Sequence, residues 1–434
     1  MTNPYSYSHL PWVAVLVLCV FAVGICILGV ALFLKRKDRW TAGGVLVVGV
    51  LILLGTWYNS TEAGQIPIVF SEKVLMDSLW QTYKNNYIEK TSGRTLDPSR
   101  GSITTSEGEA YTMLRAVWQD DKETFDTSWQ WTKDNLRHKT DPGISWLFGK
   151  NASGTYAVLT DQGGQHSASD ADTDIALALV FAYSRWHQPT YQGDAGILLK
   201  QIWDQDVVVI QGKPYLAASD SEKVSPSPTV AINPSYFSPY AYKVFATVDP
   251  AHNWKALADS SYELLSKVSA ASLDVKKSAN LPPDWVLVDR VTGAISPVRY
   301  NKDATSNYGF DAFRTSWRIA LDWQWNEDPR AETYLRTLGF LSQEWETNHR
   351  ILGTYTHAGT AVSADEYPAS YGADLGYFIV EKPAEATEIY RTKLQFLYNP
   401  DTDSWKQKLS YYDDNWAWFG IGLYNKLLPN LYKP

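Results

Sequence analysis

A chain of 434 residues, 45% of them hydrophobic, has enough apolar material for one large or two medium domains with a substantial core. The formal net charge of −8 argues against a nucleic-acid partner, because phosphate binding needs a basic footprint. Both cysteines, Cys19 and Cys26, fall in the first apolar run, and the 7 histidines form no HxH or HxxxH pair, so the sequence offers no disulfide framework and no zinc signature.

Residues 11–34 form an uninterrupted uncharged run, long enough to span a bilayer. A basic cluster follows, Lys35, Arg36, Lys37 and Arg39, relieved only by Asp38. Residues 41–57 are a second uncharged run, near the short limit for a span. The positive-inside rule places the basic loop in the cytoplasm, and with it both the N-terminus and everything after Trp57 outside. Trp12, Trp40, Trp57 and Tyr58 stand where interfacial aromatics anchor spans. A cleaved signal peptide fits less well, because the first run is too long and its charge lies on the wrong side. The expectation is a multi-pass cell-membrane protein: a two-span transmembrane anchor over 1–58, a short tether over 59–68, and an extracellular domain over 69–434.

Beyond the tether the apolar periodicity predicts about twelve amphipathic helices. They begin near Ser71, Glu107, Lys122, Asp172, Ala195, Pro239, Asn253, Phe310, Arg330, Pro368, Pro383 and Tyr411. Loops carry Gly, Pro, Asn and Asp punctuation, as in Thr140-Asp141-Pro142-Gly143 and Asn399-Pro400-Asp401. Residues 206–213 and 285–289 read as short hairpin strands, and no repeat is visible. Helices paired antiparallel by short loops suit an all-α closed toroid with its sites at the loop-rich end. The 19 Trp and 27 Tyr exceed what a core requires, and surplus flat rings suit a cleft that stacks on sugar faces.

Three stretches carry candidate chemistry. In Ser106-Glu107-Gly108-Glu109 a carboxylate sits in the first turn of a helix, just after a serine able to cap it. Complementing the helix dipole would by itself account for Glu107 there. In Ser169-Asp170-Ala171-Asp172-Thr173-Asp174 three acids alternate ahead of a strongly apolar helix. One of them can serve as a cap, and the pattern echoes half of an EF-hand loop without its glycine or terminal glutamate. In Asp311-Ala312-Phe313-Arg314 an acid and a guanidinium stand three apart at a helix start, close enough to pair. A structural ion pair accounts for them equally, but a neighbouring guanidinium would also keep a general base ionised. Glu109, Asp120, Asp121 and Asp322 read as solvated or structural.

Together these stretches resemble glycoside hydrolase family 8, through the Ser106-Glu107-Gly108 turn, the run from Ala168 to Trp186, and Asp311-Ala312-Phe313-Arg314 with Trp317-Arg318. Thr315-Ser316 departs from the pattern of many members. The resemblance runs from about Phe70 to the C-terminus and implies an (α/α)6 barrel that cleaves β-1,4-linked glycans with inversion and without a cofactor or metal. It implies Glu107 as general acid, Asp311 as general base, Asp170 as the acid that binds and distorts the sugar, and Arg314 as the group that orients Asp311. Asp172, in the same signature, is a further candidate for substrate binding. Trp146 is a candidate sugar platform and Tyr236 a candidate to position the attacking water, though either ring could equally be core. An aspartate at position 311 favours glucanases and xylanases over chitosanases. The implied partner is a β-glycan polysaccharide, with a polysaccharide synthase complex implied by analogy with the cellulases that accompany such synthases. Xylan, mixed-linkage glucan or chitosan as substrate, and a non-catalytic glycan-binding protein of exopolysaccharide assembly, are the alternatives. An unrelated helical toroid would leave three coincident motifs unexplained.

Overall fold

The computed structural model describes residues 72–298 and 304–433, together with Val23, Ile25, Ile27, Val30, Val48 and Val50. The chain divides into two compact units, Met1–Leu75 and Met76–Pro434. In the first, those six apolar residues have helical backbone. The rest of the anchor expected over 1–58 and the tether over 59–68 lie outside the described residues. No helix among the described residues is long and apolar enough to cross a membrane.

The second unit is mostly helical, in an arrangement consistent with an α/α barrel. Helices α2 (Ser106–Trp118), α4 (Ser169–Trp186), α7 (Pro239–Val248), α9 (Arg314–Asn326), α12 (Pro368–Glu381) and α14 (Tyr411–Tyr424) form an inner set. Each packs on the next in that order. Arg115 of α2 closes the cycle onto α14, donating to Asp414 at 3.0 Å, while Tyr111 meets Trp416 edge-on. Inner helices are buried nearly all round, which is why α2 reads Ala-Tyr-Thr-Met-Leu without a clear polar face.

An outer set flanks them. It comprises α1 (Glu72–Tyr87), α3 (Lys122–Asn135), α5 (Pro189–Gln205), α8 (Trp254–Ala270), α10 (Pro329–Arg336), α11 (Gly339–Asn348) and α13 (Pro383–Ile389). The outer helices have one buried stripe: α3 buries Phe125, Ser128, Trp129 and Thr132, at the spacing of one helix face. A short helix, α6 (Asp220–Val224), lies in a connection. Helices α12 and α14 approach so closely that a Cβ on Gly372 would fall 2.0 Å from the Trp416 carbonyl oxygen. Only glycine permits that crossing.

Small antiparallel sheets fill the connections. One joins β1 (Thr104–Thr105), β2 (Leu147–Lys150) and β3 (Tyr156–Val158). The expected hairpin over 206–213 is β4 (Val207–Ile210) with β5 (Lys213–Leu216). The strand expected near 285–289 is β7 (Val286–Asp289), between β6 (Thr229–Ile232) and β8 (Ile295–Pro297). A last pair, β9 (Tyr398–Asn399) and β10 (Ser404–Trp405), precedes α14.

Several helix starts differ from expectation. Helix α2 is capped by Thr105, whose hydroxyl accepts from the Gly108 N–H at 3.0 Å, and not by Ser106, whose hydroxyl is buried without a partner. Helix α4 begins at Ser169, so all three alternating acids lie inside it and none caps it. Helix α5 begins at Pro189, where proline loses no helical hydrogen bond. Helix α9 begins at Arg314, leaving Asp311 in the turn before it. Helices α6 and α11, short and weakly patterned, are not among the twelve that the periodicity predicts.

Candidate active site

Arg314 is the centre of the site. Its side chain is 1% exposed, at the first residue of α9, and its guanidinium reaches three inner-helix approaches at once. Nη1 donates to Glu107 Oε2 at 2.8 Å and to Asp170 Oδ2 at 3.3 Å. Nη2 donates to Ser235 Oγ at 3.0 Å and to Asp311 Oδ1. Glu107 and Asp311 therefore sit on opposite terminal nitrogens of one planar fork, the geometry for which arginine is suited and lysine is not.

Glu107 occupies the second position of α2, 24% exposed. Burial pushes its carboxyl up to about 7; Arg314 opposes the shift, while Asp170 and Asp311 reinforce it. Glu107 thus holds a proton well above the usual carboxylate range, as a general acid must. Asp311, 28% exposed, receives N–H donors on both oxygens, from Arg314 on Oδ1 and from the Trp285 indole on Oδ2 at 2.9 Å. It is presented purely as an acceptor. Asp170 is buried at the N-terminal turn of α4, and desolvation raises its pKa against the pull of Arg314 and Arg318.

Asp172 points about 200° away from Asp170 and Asp174, whereas those two, four positions apart, share one face of the helix and meet different arginines. Asp170 faces Arg314. Asp174 forms a two-pronged ion pair with Arg318, at 2.9 and 2.8 Å. Asp172 is fully buried and has neither oxygen hydrogen-bonded, and burial with the fields of Asp206, Asp170 and Asp220 pushes its carboxyl well above the usual carboxylate range. The structure does not bring Asp172 onto the Arg314 cluster. Among the described residues no group of three or more His, Cys, Asp or Glu is placed to hold a metal ion.

Both aromatic candidates lie beside the cluster. Trp146 precedes β2, and its carbonyl accepts from the Ser106 N–H at 3.0 Å, tying it to the residue before Glu107. Its indole donates to the Gly163 carbonyl at 3.0 Å, which fixes a half-buried ring. Tyr236 ends a short turn capped by Asn233, with the Arg314 guanidinium 5.3 Å from its ring centre. The fields of Asp170 and Asp311 add to burial in raising its phenol pKa. Glu109, read as structural, is fully buried and accepts from the Thr95 N–H at 2.8 Å and from Ser128. Asp322 likewise pairs with Lys243 at 2.6 Å.

Sequence reasoning missed four contributors. Tyr111 lies one turn after Glu107, and Arg314 reaches its hydroxyl at 3.4 Å. Tyr412 donates to the Phe310 carbonyl beside the Asp311 turn. Trp285 holds Asp311, and Asp284 accepts from the backbone of the same turn. Pro282-Pro283-Asp284-Trp285 reads only as a loop leading into a strand, so no sequence signal marks it.

Paired carboxyls on a shared arginine, one with its pKa pushed up to about 7 and one placed as an acceptor, suit acid–base hydrolysis. The family model "Glycosyl hydrolases family 8" matches residues 59–414, and the chain belongs to that family. It is 27% identical to "Endoglucanase 2" of Ruminiclostridium josui over 67% of this chain; the match spans only 59% of that relative's length. It is 26% identical to the "Endoglucanase" of Escherichia coli K12, over 79% of this chain and 86% of the relative. The solved endo-1,4-D-glucanase of Vibrio fischeri ES114 superposes with a TM-score of 0.68 at 25% identity, covering 80% of this chain and 94% of that one.

Proposed function

We propose that the chain is a membrane-anchored, extracytoplasmic endo-β-1,4-glucanase with an (α/α)6 barrel, hydrolysing cellulose-like β-glucan with inversion. Glu107 protonates the leaving oxygen and Asp311 draws a proton from the attacking water, while Asp170 binds the sugar at the cleavage point. Arg314 holds all three, and Trp146 and Tyr236 contact the glycan. The observation that carries this reading is the single guanidinium shared by a carboxyl titrating near 7 and a carboxylate that only accepts. The endoglucanase names of the relatives support the substrate class. The two uncharged runs around residues 35–39 support the anchor, and membrane tethering would suit work beside a polysaccharide synthase.

The test compares the full chain with its Glu107→Gln variant on carboxymethylcellulose, mixed-linkage glucan, xylan and chitosan, following new reducing ends and their anomeric form. Release of the α-anomer from a β-1,4-glucan by the wild type alone is expected. The wild-type rate should fall as pH rises through about 7, because the acid loses its proton there. Cleavage of no polymer, with glycan binding retained by both proteins, would replace this reading with the non-catalytic one.

A further inference from the structure

The turn that carries Asp311 is held from outside by two consecutive residues at the entry to β7. Asp284 Oδ1 accepts three main-chain N–H groups, from Gly309 at 3.1 Å, Asp311 at 3.0 Å and Ala312 at 2.7 Å. These are donors of a segment lying just before a helix, where the backbone has no intrahelical partners to offer them. One carboxyl oxygen from another loop supplies what a local capping side chain would otherwise provide. The carboxyl also packs directly on Gly309, where a Cβ would lie 2.7 Å from Asp284 Oδ2.

The next residue acts on the side chain of the same aspartate, since Trp285 donates its indole N–H to Asp311 Oδ2 at 2.9 Å. The two residues are themselves fixed to the approach of that turn. Asp284 N–H donates to the Asn307 carbonyl at 2.6 Å, and Trp285 N–H to the Thr305 carbonyl at 3.0 Å. The preceding Pro282-Pro283 restricts the backbone on the other side. With Arg314 on Oδ1, every polar group of Asp311 is engaged by Asp284, Trp285 or Arg314, its carbonyl accepting from the Arg314 main-chain N–H at 3.2 Å and from Arg314 Nε at 3.3 Å.

We propose that Asp284 and Trp285 form a two-point clamp that positions the general base, Asp284 setting the main chain of its turn and Trp285 the rotation of its carboxylate. The inference rests on the reading of Asp311 as base. The clamp matters because an inverting base must address a water on the opposite sugar face from the acid, and its carboxylate has one productive orientation. Neither residue is asked to touch substrate. Both are positioning residues.

Full-length wild type, Asp284→Ala, Asp284→Asn and Trp285→Phe are compared on carboxymethylcellulose for kcat and KM, with thermal unfolding measured alongside. Asp284→Ala should lose about 100-fold in kcat, the scale of a displacement of about 1 Å at a reacting group, with KM within about threefold of wild type. Asp284→Asn keeps an acceptor oxygen and should recover most of that loss. Trp285→Phe should lose about tenfold in kcat, again with KM unchanged. A stabilising role alone would lower the unfolding temperature of each variant and leave kcat at the wild-type value; that outcome overturns the proposal. If Asp284→Ala does not fold, Trp285→Phe decides in the same way. An inactive wild type would instead refute the hydrolase reading, which is a separate result.

Discussion

Replacing Arg314 by methionine keeps most of the side-chain volume and removes the guanidinium. Six hydrogen bonds disappear, to Glu107, Asp170, Tyr111, Ser235 and both the carbonyl and the carboxyl of Asp311, all centred on a side chain only 1% exposed. Removing one partner of a buried ion pair destabilises by about 3–5 kcal/mol, because the charge left behind is uncompensated. Here the lower end applies in acid, where Glu107 is already neutral and Asp170, raised by burial, can take up a proton. Stability should therefore suffer more above the Glu107 transition than below it, as urea unfolding on either side of that transition would show. Against a native stability of about 5–15 kcal/mol, the smaller loss of about 3 kcal/mol in acid leaves the variant folded.

The catalytic consequence is larger. Losing a preorganised donor array in a water-poor site lowers kcat by about 10²–10³-fold. Arg314 is also the chief influence opposing the upward shift of Glu107, so its removal should move the alkaline limb of the rate profile above about 7. Arg314→Lys separates charge from geometry: the limb should stay near its wild-type place while kcat still falls, since one ammonium cannot serve three carboxyls. Reducing-end release from carboxymethylcellulose, scanned from acid to alkaline pH, reads both quantities. An Arg314→Met variant with kcat within tenfold of wild type and an unmoved limb would refute the claim that this guanidinium organises the site.

Three other outcomes are expected. Trp146→Ala should raise KM roughly 3- to 10-fold with kcat nearly unchanged, the worth of one ring stack; an unchanged KM on carboxymethylcellulose would assign the ring to packing. Asp374 is fully buried, accepts from Tyr308, and has its carboxyl pushed up to about 8, so the folded chain keeps a proton that the unfolded chain releases near pH 4. Stability from this group is full in acid and declines as pH rises towards 8, and Asp374→Asn should flatten that decline in urea titrations at several pH values. Gly372→Ala should destabilise by about 1–3 kcal/mol through the clash with the Trp416 carbonyl, read as a lowered unfolding temperature.

Much of this protein is legible in one dimension because the determining physics is local. Apolar periodicity marks most of the helices, since each inner or outer helix must bury a face or all of itself. Glu107, Asp170, Asp311 and Arg314 lie at or just before the starts of inner helices, where a dipole complement, a cap or a structural ion pair would account for them equally, and it is the resemblance to family 8 that singles them out. Residues two apart in the 170–174 run could not be told apart by sequence, however. Their roles depend on what stands across from each helix face: Arg314 for Asp170, Arg318 for Asp174, and other buried acids for Asp172.

Only the tertiary structure places Asp284, Trp285 and Tyr412 at the site, because they arrive from segments far away in the chain and carry no pattern of their own. It also decides that Glu107 titrates near 7, since a pKa depends on the burial and charges gathered around the carboxyl and not on its neighbours in sequence. The start of α9 is set for the same reason. Asp284 captures the N–H groups before α9 from across the fold, and so Asp311 stands in a turn rather than in a helix. Residue types and spacing determine which groups are available for chemistry; long-range packing determines which of them meet.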